Sequence, residues 1–275
     1  MLAKRRFDLD FVQYGDPSGK KAIYFHGVPG DPEEAAVFDT DAKAHNINLL
    51  CPARFSVEAS LQGPDYYQSL AQAIEQKVGR GDVDIIGFSL GTHVAIEVSR
   101  LLKTNVRSLH LVSSAAPVSD GAFLSSMAGG SVFQTAMNSP QLFRAMTGFQ
   151  RLLALWLPSL LRKMLFASAA GEDKELSTST EFIAYIEPLL SRCFRVAAAG
   201  YLRDIMAYVK PWKPLTNTPT YLWHGSEDNW SPIAMAYHLQ SELNECEALH
   251  ELAGLSHYSC LQRSTAGICA QLAEA

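Results

Sequence analysis

The sequence predicts an α/β fold: a mainly parallel β-sheet covered by helices on both faces, with a helical segment inserted late in the chain. Short apolar runs of strand length each end in Gly, Ser or Pro, and helix-length segments separate most of them. Strands alternating with helices give parallel pairing, because each crossover helix must pack on a sheet face. After about Pro117 the alternation stops, and residues 120–209 carry only a helical pattern.

The strand-like runs occupy residues 21–25, 47–50, 83–86, 106–112, 220–223 and 248–252. Each is followed by turn residues, such as His26-Gly27, Cys51-Pro52 and His224-Gly225. The intervening helical segments are residues 33–44, 66–78, 92–102 and 233–243. Residues 7–14 alternate apolar and polar, which predicts an antiparallel edge hairpin leading into the sheet. Breaks in the long helical stretch are expected at Gly129-Gly130, Pro140, Pro158, Gly171 and Pro188. The expected division is a core of residues 1–118 and 210–275, with 119–209 as a helical cap inserted in it.

Composition narrows the function. The chain has 275 residues, 48% of them hydrophobic, enough to bury a sizeable core. The formal net charge of -5 and the absence of a basic block argue against nucleic-acid binding. Lys4, Arg5 and Arg6 are not followed by an apolar region of signal-peptide length. The longest oily stretch, residues 152–161, is short and broken by Pro158, so no membrane span is expected. The five cysteines are odd in number and scattered, as reduced thiols of a cytoplasmic protein would be. Gly79-Arg80-Gly81 lacks the third glycine of a dinucleotide loop and precedes a strand. No phosphate loop or metal-ligand spacing is present, so no cofactor is expected, and the oligomeric state stays open.

The chemistry gathers around Gly87-Phe88-Ser89-Leu90-Gly91, which fits G-x-S-x-G. An apolar strand precedes it and a helical segment follows. A sharp strand-to-helix turn would raise the Ser89 hydroxyl above the sheet edge, where two glycines avoid a clash. A serine hydroxyl needs a base to become nucleophilic. Five of the eight histidines fall in expected helices or strands, and His26 and His224 lack a downstream acid in the right order. His257 sits in the loop after the last strand, in Gly254-Leu255-Ser256-His257-Tyr258. The acid expected to orient it leaves the preceding strand at Asp228, with Glu227 adjacent. The chain order is then Ser89, Asp228, His257.

A tetrahedral intermediate also needs donors for its oxyanion. The Leu90 backbone N–H is one. The other comes from Gly27-Val28-Pro29-Gly30, where Pro29 has no N–H and Val28 is the best donor. His26 is read as bracing this loop.

These motifs, His26-Gly27-x-Pro29-Gly30, the Gly87–Gly91 elbow, Gly225-x-x-Asp228 and His257, resemble the cap-bearing group of the α/β-hydrolase superfamily over nearly the whole chain. The resemblance implies an α/β-hydrolase fold and serine-hydrolase machinery, while the fold hosts many chemistries. There are departures. After the strand at 47–50, members often carry Asp-Arg-x-Gly-x-Gly-x-Ser; here Arg54 and Ser60 match but both glycines are gone. Relatives with an aspartate nucleophile, the haloalkane dehalogenases and epoxide hydrolases, differ at Ser89.

The cap aromatics, including Phe133, Phe143, Phe149, Trp156, Phe166 and Phe182, are expected mostly to pack helices. Arg144, Arg151, Arg162 and Lys163 suit a solvated helix face better than an acidic ligand. Phe88 and Leu90 flank the nucleophile as a candidate substrate-pocket floor. The expected activity is hydrolysis of a carboxylic ester or related small-molecule acyl substrate with an apolar part. The same machinery permits C–C bond, amide or peptide, and thioester hydrolysis, or perhydrolysis. A slow-turnover small-molecule receptor is the rival from another class.

Overall fold

The structure, a computed structural model, describes residues 9–274. Its chain order is β1 (Phe11–Gly15), β2 (Lys20–Phe25), α1 (Asp39–Ala44), β3 (Ile47–Pro52), α2 (Gly63–Val78), β4 (Val83–Phe88), α3 (Gly91–Ser99) and β5 (Val106–Val112). Six helices follow: α4 (Gly130–Asn138), α5 (Pro140–Trp156), α6 (Pro158–Leu165), α7 (Asp173–Leu176), α8 (Thr180–Arg195) and α9 (Ala198–Tyr208). The chain then returns through β6 (Thr220–Gly225), α10 (Ile233–Glu242), β7 (Cys246–Leu252) and α11 (His257–Glu274).

The strands form one sheet in the order β1-β3-β2-β4-β5-β6-β7. Every pair is parallel except β1 with β3. β4 lies at the centre and every one of its residues is buried. A strand covered on both faces has no polar side to alternate with, and its one polar residue, Asp84, is buried against Arg107 and Ser108. β3, next to the edge, is also buried throughout.

Three local expectations change. The edge strand is not half of a hairpin: β1 turns into β2 in sequence but pairs with β3, from Phe11 opposite Pro52 to Gly15 opposite Asn48. Alternation marks a strand but does not name its partner. Phe7 and Asp8, the start of that expected hairpin, lie outside the described residues. The helix expected over 33–44 begins as a 3₁₀ turn at Pro32–Phe38, with the Asp31 side chain accepting from the Glu33 N–H, and becomes α-helical only at Asp39. Pro188 does not interrupt α8, whereas Pro140 and Pro158 open α5 and α6, where a missing N–H is harmless.

The segment without glycines at 53–60 takes a defined shape. Arg54–Ser56 is a single 3₁₀ turn, and Ser60 bonds Glu58 at the surface. Arg54 is fully buried. Its guanidinium donates to the His26 carbonyl at 2.9 Å and pairs with Asp204 of α9 at 3.3 Å. Arg203 donates to the Arg54 and Val57 carbonyls at 2.7 and 3.0 Å and lies 3.8 Å over the Tyr66 ring. This network ties α9 to the loop after β3. Gly200 makes the approach possible, because a Cβ there would overlap the Phe55 backbone.

Gly200→Ala is therefore expected to destabilise the protein by about 1–3 kcal/mol, as overpacking of a filled interior does. Chemical denaturation measures this, and a change within about 0.5 kcal/mol, typical of a neutral surface site, would contradict the contact.

Candidate functional site

Ser89 follows the last residue of β4, and α3 begins two residues later. Its φ is +56°, a left-handed conformation that non-glycine residues rarely take. Three backbone bonds hold it there. The Ser89 N–H donates to Val112 O at 2.9 Å, and Ser89 O accepts from Thr92 N at 3.0 Å and Ala115 N at 3.4 Å. Gly91 is required beside it, because a Cβ would overlap the Phe25 carbonyl oxygen of the neighbouring strand.

Asp228 lies just past β6 and is held by both carboxylate oxygens. Oδ1 accepts from the Trp230 and Ser231 N–H groups at 2.8 and 2.9 Å. Oδ2 lies 2.8 Å from His257 Nδ1. Burial by itself would raise this carboxyl, but His257, His224 and the Ser231 N–H together hold it below the usual carboxylate range. Glu227, its neighbour, takes no part in this arrangement.

His257 is not in a free loop: it is the first residue of α11. The N–H groups of Tyr258 and Ser259, orphans of that first turn, donate to Asp173 at 3.0 and 2.7 Å. Asp173 is supplied from α7, so a residue far away in sequence caps the helix that carries His257. The His257 ring sits between Phe88, at a centroid distance of 4.8 Å, and Trp230, stacked at 5.4 Å. Phe88 is fully buried, and Leu90 is nearly so.

Leu90 follows Ser89 in the chain, and Val28 follows Gly27, where an added Cβ would meet the Phe88 ring at 2.9 Å and lie 3.4 Å from the Ser89 Cβ. Among the described residues, neither the Val28 nor the Leu90 N–H has a protein acceptor. No hydrogen bond joins Ser89 Oγ to His257 among the described residues, although Ser113 Oγ ties the His257 carbonyl to the same end of the sheet at 3.1 Å. Ser89, Asp228 and His257 are each 5% exposed or less. A cavity of about 700 Å³, bounded by Tyr67, His93, Met206 and Trp212, is lined by none of the three.

The other strand-end histidines have no free nitrogen. His26 donates from Nδ1 to Gly27 O at 2.8 Å and accepts from Arg54 at Nε2 at 3.0 Å. Burial and then Arg54 keep it neutral, in the loop-bracing position expected of it. His224 accepts from the Ser114 N–H at Nδ1 and donates from Nε2 to Ser231 O, at 3.2 and 2.7 Å.

Sequence reasoning missed Asp173, Trp230 and Glu34. Glu34 is completely buried, and its Oε1 accepts from Tyr24 Oη at 2.8 Å and the Gly27 N–H at 2.7 Å. Oε2 has no partner. The Tyr185 hydroxyl of α8 also donates to the Glu34 carbonyl at 2.9 Å. A glutamate in an apparently solvated helix start gives no sequence signal of this. Burial pushes its carboxyl up to about 7, against the pull of the Gly27 N–H, Tyr24, Arg54 and His257.

The folded value thus lies above the ordinary 4.5. The stability this raised carboxyl contributes is fully present below pH 4.5 and is lost as pH rises through about 7. The loss is on the order of 3 kcal/mol. Glu34→Gln cannot ionise, so the variant is expected to lose much less stability between mildly acidic and mildly alkaline pH. Denaturant titrations of both proteins at the two pH values check this, and parallel losses would contradict it.

The chain matches the family model described as "Alpha/beta hydrolase family" over residues 23–271. No curated protein matches it. Solved structures share the fold at low identity. A bromoperoxidase from Bacillus anthracis superposes with a TM-score of 0.68 at 15% identity, covering 96% of this chain and 95% of that one. A thermophilic esterase from Thermogutta terrifontis gives 0.68 at 15% identity, over 97% and 93% of the two chains. An epoxide hydrolase from Vigna radiata gives 0.68 at 13%, again over 97% and 93%. With nearly the whole sheet and its flanking helices inside the matched region, the chain belongs to the alpha/beta hydrolase family.

Proposed function

We propose that the protein is a serine hydrolase acting on a carboxylic ester or related acyl compound with an apolar part. The observation that carries this is the 2.8 Å bond from His257 Nδ1 to an Asp228 carboxylate whose other oxygen is already occupied. That bond fixes the tautomer: Nδ1 holds the proton, and Nε2 is left as a base. Ser89, held left-handed at the strand end, is the nucleophile.

In the proposed reaction His257 Nε2 removes the Ser89 Oγ proton as Oγ attacks the acyl carbon. The imidazolium that forms is stabilised by Asp228, already ionised because its carboxyl is held below the usual range. The unpartnered N–H groups of Val28 and Leu90 donate hydrogen bonds to the developing oxyanion, and require no reorganisation to do so. His257 returns the proton to the leaving alcohol. Water, deprotonated by the same histidine, then releases the acid from Ser89. The absence of a Ser89–His257 hydrogen bond is compatible with this, since such contacts often tighten only once substrate is bound.

Residues 119–209 act in this reading as a cap over the site. It explains why the proposed catalytic residues are buried, and it requires the cap to move for substrate to enter. Phe88 and Leu90 supply apolar surface beside the nucleophile, which favours an apolar acyl group. The esterase from Thermogutta terrifontis is consistent with this choice, its likeness being one of fold.

Wild-type protein is expected to hydrolyse short p-nitrophenyl esters, and Ser89→Ala to lower kcat by at least about 1,000-fold while remaining folded. Activity in Ser89→Ala within about tenfold of wild type would contradict the assignment. Equal binding of an ester by both proteins, with turnover by neither, would identify a receptor.

A further inference from the structure

Among the described residues, eight of the twelve exposed large apolar side chains lie on α5, α6 and the turn between them, while Met137, Val196, Leu215 and Tyr237 lie elsewhere. Leu142, Phe149, Leu152 and Trp156 of α5 are 54%, 56%, 55% and 78% exposed. At 3.6 residues per turn these four fall within about a quarter turn of one another. On α6, Leu160 and Met164 are 44% and 54% exposed and one turn apart. Leu157, at the turn between the two helices, continues the surface. The side of α5 that packs inward is a different one, carried by Phe143, Thr147, Leu153 and Ala154. Phe149 and Trp156 thus depart from the expectation that cap aromatics pack helices, which Phe133, Phe143, Phe166 and Phe182 do follow. A group of exposed apolar side chains on two consecutive helices of a folded protein points to a contact site.

Charge says what covers it. Between Asp120 and Glu172 the sequence has no acidic residue, and its charged residues are Arg144, Arg151, Arg162 and Lys163. Arg162 is buried and paired with Glu187 at 2.9 Å. Arg144, Arg151 and Lys163 are exposed and form no ion pair among the described residues. Arg144 and Arg151 lie two turns apart on α5, about 80–100° round the helix from Leu152, Arg144 also bordering the cavity lined by His93 and Trp212, and Lys163 follows Leu161 and Arg162 next to Met164 on α6. The whole chain carries -5, so this positive surface stands out against an acidic remainder. A second copy docking through the same face would bring the cations of the two copies close together, with no acidic residue of this segment to offset them.

We infer that α5 and α6 dock the protein on an anionic lipid bilayer surface. The apolar stripe enters the boundary between headgroups and acyl chains, with Trp156 at that depth, and the flanking cations meet lipid phosphates. No helix among the described residues is long and apolar enough to cross a membrane, so the contact is peripheral. It does not depend on the catalytic reading.

Vesicle co-sedimentation of the full chain tests this, comparing phosphatidylcholine alone with phosphatidylcholine containing about one-third phosphatidylglycerol. The protein is expected to sediment with the anionic vesicles, more weakly with the neutral ones and less at high salt. Leu152→Gln/Trp156→Gln and Arg151→Glu/Lys163→Glu should each weaken anionic binding roughly tenfold or more. These side chains are exposed, so unchanged far-UV circular dichroism and an unchanged denaturation midpoint are expected in both variants. Failure to bind anionic vesicles overturns the inference. Binding unaffected by either double variant overturns it by assigning the contact to another surface. A concentration-dependent dimer that Leu152→Gln/Trp156→Gln abolishes, without vesicle binding, assigns the face to a second copy.

Discussion

One backbone conformation organises the molecule. A serine is held left-handed between the central strand and the helix that leaves it, at a cost of order 1–3 kcal/mol. The surroundings must over-determine it. β4 sits between β2 and β5, so the end of the turn is gripped from both sides: Ser89 N–H is bonded to β5, and Gly91 packs on the β2 carbonyls. The same close packing places the Gly27–Val28 loop against Ser89.

The helices between β5 and β6 are also part of this construction. Asp173 of α7 caps the helix that begins at His257, and Tyr185 of α8 bonds the carbonyl of Glu34, whose carboxylate holds the Gly27 N–H. Arg54 links the His26 carbonyl to Asp204 of α9. Each connection runs from the helical segment to a loop at the carboxyl ends of the strands. In the proposed reading, movement of the cap would alter the placement of the base and of the oxyanion loop, as well as access to Ser89.

Much of the fold was legible because burial on both sheet faces writes near-continuous apolar runs into the sequence, as at β4, and because turn residues bound them. The strand-to-helix turn at Gly87–Gly91 and the contact of Asp228 with His257 were legible for a related reason: strand ends carry short, distinctive loops. What escaped depends on distant partners. The pairing of β1 with β3 is set by a strand thirty-odd residues on, and α11 was hidden behind a loop reading of His257. Asp173 and Glu34 look like ordinary acids of polar helix starts, and only the fold makes one a helix cap and the other a buried carboxyl. The exposure of Phe149 and Trp156 was likewise invisible, because an apolar residue on a helix does not say which side meets a neighbour.

The central claim is that Ser89 is an activated nucleophile. The most direct measurement is treatment of the native protein with a fluorophosphonate, followed by intact-mass and peptide mass spectrometry. A single adduct on Ser89, absent when the protein is unfolded beforehand, is the result expected. No adduct, under conditions that label a known serine hydrolase, or an adduct on a different serine, would contradict it.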